Sequence, residues 1–414
     1  LEIQRGLNAD NAVLEVNDPI KISGDSYLNK TTSKGDGELW LLSDCKGSDN
    51  NLDHVKICGI FPQEITMYSG KFGILEIENQ SITGTKFNSG PMEVTKLIQA
   101  QDQKIQNGEN LYITGTAQVN INNSQMNLTL NNWKGGNWEG NLLGTLYSTG
   151  TNTITDSMDL KGGISQRDGE LTIDHTEVTM RGPLRLDGKL VISEESVVDV
   201  KNDISNENYV ALEIKNSGKL IGDSYRLNRL TGEGEVDIKE DFYLDNDLTF
   251  GTLRFCGDKE QNVYISGSSI QVAQLINDNQ SQKGVQLNSR IYVSDKFENN
   301  GRIRGIKPIL ILKDNVISGD VTQGNLVTNE DVKVDDHAKV TINGDAELGG
   351  QLDVGTDAEI VIKGNLKVDN KNITIGKGSK ILVKGNLIST NSDITIDGQL
   401  TVYQDSKLSQ GTLQ

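Results

Sequence analysis

The chain has 414 residues, 35% of them hydrophobic and 24% charged, and a formal net charge of −18. That charge disfavours nucleic acid and anionic membranes as partners, and no stretch approaches the ~18 consecutive apolar residues of a spanning helix. Three cysteines, Cys45, Cys58 and Cys256, are too few for a disulfide scaffold.

The chain opens on Leu1 rather than Met and carries no visible signal peptide, so it reads as a fragment or mature product of something longer. Residues 12–16 and 20–24 are the first strand-like pieces. Residues 31–57 then depart from the pattern, with a turn at 33–37, a strand at 38–42 and a polar loop at 43–53 before strands resume at 55–58. Cys45 and Cys58 lie across this loop; a bridge and a pair of buried free thiols are both open. Through residue 150 the spacing is irregular, with strands expected around Leu75, Ile82, 111–113 and 119–121, and the one passable helical pattern at 94–104. This half reads as early turns interrupted by long excursions.

From about residue 158 a period emerges. Gly163 recurs as Gly182 and Gly169 as Gly188, and short apolar-alternating segments follow at 171–173, 178–180, 184–186, 190–192 and 197–200, continuing through 211–214, 236–238, 248–255, 263–265, 285–287, 291–293 and 309–312. The signal is cleanest at 338–396. Val332/Val334, Leu352/Val354, Ile373/Ile375 and Ile394/Ile396 recur in steps of 20 or 21 residues. Alternation with period two means a strand with one buried face, and a register returning every ~20 residues means that one turn of chain is one repeat that must stack on its neighbours.

The predicted fold is therefore all-β, a parallel β-helix of about three short strands per turn, with long loop insertions in the N-terminal half; a sandwich or meander is the alternative. Its interior is expected to stack Val340, Ile342, Ala346 and Leu348 over Ile360, Ile362, Leu366 and Val368, and these over Ile381, Val383 and Leu387. Gly344, Gly364 and Gly385 fall at corners that need positive φ or close backbone approach. Residues 1–157 are expected to hold the irregular turns and 158–414 the regular ones, in one continuous domain.

Residues 301–414 contain a single aromatic, Tyr403, whereas Trp40, Trp133 and Trp138 all lie in the first 150. Trp133 and Trp138 sit in the Asn- and Gly-rich stretch 131–141, which has no core of its own. Its indoles are either pinned onto the solenoid or presented to solvent. Presented indoles stack on the C–H faces of pyranose rings while neighbouring Asn and Lys bond hydroxyls. The candidate carbohydrate-binding residues are Trp133, Trp138, Tyr112, Tyr147, Tyr68 and Trp40, the last, among leucines, expected to be buried.

Support for catalysis is thin. His54, His175 and His337 each follow an aspartate (Asp53, Asp174, Asp336), but neighbours on a strand point to opposite faces, so none is expected to orient its histidine. No zinc-protease, paired Cys or nucleophile-elbow motif occurs. Asp199/Asp203, Asp237/Glu240/Asp241 and Asp245/Asp247 could serve a β-helix lyase or glycosidase, but read as a solvated acidic face. No calcium loop has the required spacing, and neither cofactor nor metal is expected.

A strand-only, Gly- and Asn-rich chain, with a regular β-helix toward its C-terminus and aromatic-bearing insertions toward its front, resembles the C-terminal domain of the tapirins, cell-surface adhesins of plant-biomass-degrading thermophilic bacteria. The resemblance implies a non-catalytic domain that binds cellulose at the cell surface and is encoded beside type IV pilus components; it assigns no residue. The functional expectation is an extracellular, monomeric adhesin for insoluble plant polysaccharide, with no nucleic-acid partner and no membrane insertion. A β-helix lyase or hydrolase and a structural fibre module are the alternatives.

Overall fold

The computed structural model describes residues 1–206, 212–214, 217–245, 248–266, 270–288, 291–305, 309–311, 315–317, 320–323, 326–328 and 331–414. The chain forms two compact units, Leu1–Val210 and Ala211–Gln414. Each is a parallel β-solenoid, and each strand pairs with its counterpart about one turn of chain away.

In the first unit the register builds a continuous inner column. Ile3, Ile22, Leu41, Ile57, Ile77, Ala100 and Ile121 are successive Cα partners in parallel pairs, and all but Ile3 are buried. Branched apolar side chains fit such a column because period-two alternation puts every second residue inside. In the second unit the predicted interior is found as expected. Val340 pairs with Ile360 and Ile360 with Ile381, Ala346 with Leu366 and Leu366 with Leu387, and all are buried. The strands Val332–Val334, Lys339–Ile342 and Ala346–Leu348 form the three sides of one turn. Gly364 and Gly385 owe their place to close approach rather than positive φ: a Cβ on Gly385 would lie 2.5 Å from the Gly364 carbonyl oxygen. Of the predicted strands at 211–214 and 309–312, Ala211 and Leu312 lie outside the described residues.

The irregular spacing of residues 31–150 has a specific form. The strands Asn51–Gly59, Gly70–Asn79 and Met92–Gln101 are nine or ten residues long and bend in mid-run, with a register shift between Phe72 and Ile74. Gly73 permits the bend, since a Cβ there would meet the Asp53 carbonyl oxygen at 2.5 Å. The helical pattern at 94–104 is a product of this bend and the segment is strand. Met92, Val94, Ile98 and Ala100 are the buried positions, and the interruption at Thr95–Leu97 turns a spacing of two into a spacing of four. Ile82, expected in a strand, lies in an exposed turn closed by Gly84 at φ +78°. Cys45 and Cys58 are both free; Cys45 faces the core from the strand Cys45–Ser48, Cys58 is half-buried on the strand Asn51–Gly59, and the two strands belong to different sheets.

Both units contain one and the same corner. Asn79-Gln80-Ser81 followed by Gly84 recurs as Asn279-Gln280-Ser281 followed by Gly284, and Cys58-Gly59 followed by Gln63 recurs as Cys256-Gly257 followed by Gln261. The bonds recur with the residues. Gln63 Nε2 donates to the Leu41 carbonyl at 2.9 Å, as Gln261 does to that of Ile238 at 2.7 Å. Asn79 Oδ1 accepts from the Ser81 amide at 2.7 Å and Asn279 Oδ1 from that of Ser281 at 2.8 Å. Thr95 Oγ1 on the Phe72 carbonyl matches Ser294 Oγ on that of Val272. The two units thus share a bent-strand module, at about 37–101 and 234–300.

Candidate functional site

The tryptophans expected to meet a ligand are part of the core. Trp138 pairs with Val119, and so takes the inward column already occupied by Leu39, Val55, Leu75 and Ile98. Trp133 pairs with Gly115 across a register shift in the ladder, and its ring turns into the core while Gly115 faces open space. Trp133 is wholly buried and Trp138 nearly so. Their polar atoms are satisfied inside: Trp133 Nε1 donates to the Ala117 carbonyl at 2.9 Å, its amide to Asn152 Oδ1 at 2.8 Å, and Trp138 Nε1 to the Gly140 carbonyl at 3.3 Å. An indole whose ring faces are buried in the column cannot stack on a sugar, so neither is a candidate for binding.

Trp40 is half-buried rather than buried, and its ring is already engaged: Lys21 and Lys56 place Nζ 4.4 and 5.2 Å from the ring centroid, and Nε1 donates to Glu38 Oε2 at 2.5 Å. Tyr147 is half-buried under the Arg167 guanidinium at 3.8 Å, and Tyr112 is half-buried two steps away on the same ladder, through Thr129. Of the six predicted residues only Tyr68 stands open, at 62% exposure.

Tyr68 belongs to a six-stranded face of the first unit that runs from Asn8–Asp10 to Ile105–Gln106. Its outward residues form two ladders. One runs Asn8, Tyr27, Lys46, Thr66, Asn88 and the other Asp10, Asn29, Ser48, Tyr68. Asn29 donates to Asp10 Oδ1 at 2.6 Å and Ser48 to Asn29 Oδ1 at 2.5 Å, so the second ladder is pre-ordered. Tyr27, half exposed between Ser26 and the buried Leu28, carries no loop signature in the sequence. Beside it opens a groove of about 330 Å³ lined by Arg5, Asn8, Asp25, Tyr27, Asp44 and Lys46, among others. Asp25 is anchored by Ser43 Oγ at 2.5 Å and Asp44 by the Glu64 amide at 2.7 Å.

The acidic clusters are regrouped by the fold. Glu240 pairs with Lys259 at 2.5 Å and Asp241 accepts from the Asn262 amide, whereas Asp237 meets Glu235, Lys219 and Arg254. Lys219 lies 2.8 Å from Asp237 and 3.1 Å from Glu235, and Arg254 bridges Glu235 and Asp278 at 3.3 and 2.9 Å. Burial, opposed by the Lys219 ammonium and aided by the neighbouring Glu235 carboxyl, pushes Asp237 up to about 6. Burial also raises Glu235, but the hydrogen bond from Asp237 and the two cations outweigh it and hold its carboxyl below the usual range. Asp199 is paired with Lys201, and Asp247 lies outside the described residues.

Two histidines have carboxylate partners. His175 does meet its sequence neighbour, with Nδ1 2.8 Å from Asp174 Oδ1; it sits in a turn at φ +49°, so strand alternation does not apply. His54 ignores Asp53, which pairs with Lys96 at 2.6 Å, and lies 3.0 Å from Glu76 Oε1.

These features define a parallel β-solenoid with open, polar, tyrosine-bearing faces. No protein-family model, no curated protein and no solved structure matches the chain. Among the described residues no helix is long and apolar enough to cross a membrane.

Proposed function

We propose that the chain is a non-catalytic polysaccharide-binding adhesin working outside the cell, with an uncharged plant glycan such as cellulose lying on the face that carries Tyr27 and Tyr68. The observation behind this reading is that two exposed tyrosines share one flat sheet face with ladders of Asn, Ser, Thr and Lys, beside a polar groove. They sit two turns apart, about 10 Å along the axis, a length over which a β-1,4-glucan presents the same ring face again. Phenol rings offer apolar faces for stacking, and the amide and hydroxyl ladders offer donors and acceptors to sugar hydroxyls. A net charge of −18 repels polyanionic glycans and leaves neutral ones unaffected.

The test is depletion of the full chain from solution by microcrystalline cellulose and by a panel of insoluble plant glycans. The wild type is expected to be depleted and the Tyr27→Ala/Tyr68→Ala double variant not. Equal depletion of both would remove this face as the site, and no depletion by any glycan would remove the function. Release of reducing or unsaturated sugar ends from the same panel would favour a lyase or hydrolase instead.

A further inference from the structure

We infer that Glu38, His54 and Glu76 form a binding site for a divalent transition cation of the zinc class on the outer face of the first unit. One donor atom from each lies within 4.8 Å of the other two. The three come from adjacent rungs of a single sheet. Glu38 immediately precedes the strand Leu39–Leu41, which pairs with Asn51–Gly59 carrying His54, which pairs in turn with Gly70–Asn79 carrying Glu76. Rigid neighbouring strands hold such ligands better than a loop does.

One imidazole nitrogen with two carboxylate oxygens is a zinc-type donor set that leaves a fourth position for water. Bonds of about 2.0–2.1 Å place tetrahedral donors about 3.3 Å apart. His54 Nε2 and Glu76 Oε1, at 3.0 Å, are already near that separation. Glu38 closes the remainder by a side-chain adjustment. Both carboxylates are oriented from outside the site. Trp40 Nε1 holds Glu38 Oε2 at 2.5 Å and Lys56 Nζ lies 3.4 Å from Glu76 Oε2, leaving the second oxygen of each for a cation. Outer donors of this kind fix ligand direction in metal sites.

The second unit gives an internal contrast. Glu235 occupies the position of Glu38, but Thr252 stands across from it where His54 stands in the first unit, and Lys219 and Arg254 supply the positive charge. Lys56 of the first unit stands at the position of Arg254, but the histidine that supplies a nitrogen donor is present in the first unit and replaced by Thr252 in the second.

The test titrates the chelator-stripped full chain with Zn2+ by calorimetry and with Co2+ by visible absorption, and follows quenching of Trp40 fluorescence by Co2+. One saturable site is expected, with a Co2+ spectrum of mixed nitrogen and oxygen ligation. Affinity should fall at least tenfold in His54→Ala and in Glu76→Gln, and the quenching should disappear in Trp40→Phe. Should a ligand variant misfold by circular dichroism, the wild-type Co2+ spectrum and the Trp40 quenching still decide. No saturable binding to the wild type, or equal binding by folded His54→Ala and Glu76→Gln, would overturn the assignment.

Discussion

Asn79 donates from Nδ2 to Gln63 Oε1 at 2.6 Å, and Asn279 donates to Gln261 in the same way at the same distance. All four side chains are buried. Each pair closes its corner by carrying hydrogen bonds from one turn to the next. A buried amide left without its partner costs about 1–3 kcal/mol. Asn79→Ala and Asn279→Ala should each destabilise by that amount, and each should be non-additive with loss of its glutamine, Gln63→Ala or Gln261→Ala. Denaturant unfolding of the single and double variants checks this; additive losses would mean the pairs are not coupled.

The same corners show what was legible in the sequence. The columns at 338–396 were readable because every inward position is aliphatic and every turn has nearly the same length. The bent strands were not. A bend inserts residues between inward positions, so Val94 and Ile98 acquire a helical spacing while remaining in a strand. The recurrence of Asn-Gln-Ser-x-x-Gly was a stronger signal than any apolar pattern in that half, because it marks a corner built from side-chain bonds. Of the face proposed for binding, Tyr68 was legible and Tyr27 was not, because Tyr27 lies in a short four-residue strand whose sequence shows no clear alternation from which to tell its outer side. The Glu38, His54 and Glu76 cluster was beyond sequence reading because it is assembled across three strands.

Burial of the tryptophans separates stability from binding. Trp133 is wholly buried and satisfies its own N–H on the Ala117 carbonyl. Trp133→Ala should cost about 3–5 kcal/mol, as large core aromatics do, while folded protein at low temperature keeps its depletion by cellulose. Tyr27→Ala, on an exposed ladder, should change stability by less than about 0.5 kcal/mol and reduce depletion. Thermal unfolding and pull-down on the same samples would reveal a reversed pattern, which would return Trp133 to the binding surface.

Cys45 and Cys256 should be unreactive in the native state. Burial, aided by the Asp44 carboxylate, pushes the Cys45 thiol up to about 12, and burial with Asp237 nearby pushes Cys256 up to about 11. The thiolate is the reactive form. Neither should be alkylated by iodoacetamide at pH 8 on a scale of hours, whereas both should react quickly in denaturant. Peptide mass mapping reads this directly, and it also tests the separation of Cys45 from Cys58, since a mapped disulfide between them would contradict their placement on different sheets.

Asp237 should make the protein's stability depend on pH in the direction opposite to an ordinary salt-bridged carboxylate. Its folded value of about 6 lies above its ordinary value of 3.8. Below the ordinary value both folded and unfolded forms hold the proton, and Asp237 contributes no pH dependence. As pH rises from there to about 6 the folded form keeps a proton that the unfolded form has lost, so stability falls with pH and then levels off. The full cost above pH 6 is on the order of 3 kcal/mol. Asp237→Asn reproduces the protonated shape, can still donate to Glu235, and leaves Lys219 its contact with Glu235. The variant should therefore be more stable than the wild type at pH 7.5, by about 1–3 kcal/mol, with the advantage shrinking to nothing near pH 4. Denaturant unfolding across that range is the measurement. A variant less stable than the wild type by the same amount at every pH would mean that Asp237 is an ordinary ionised partner of Lys219.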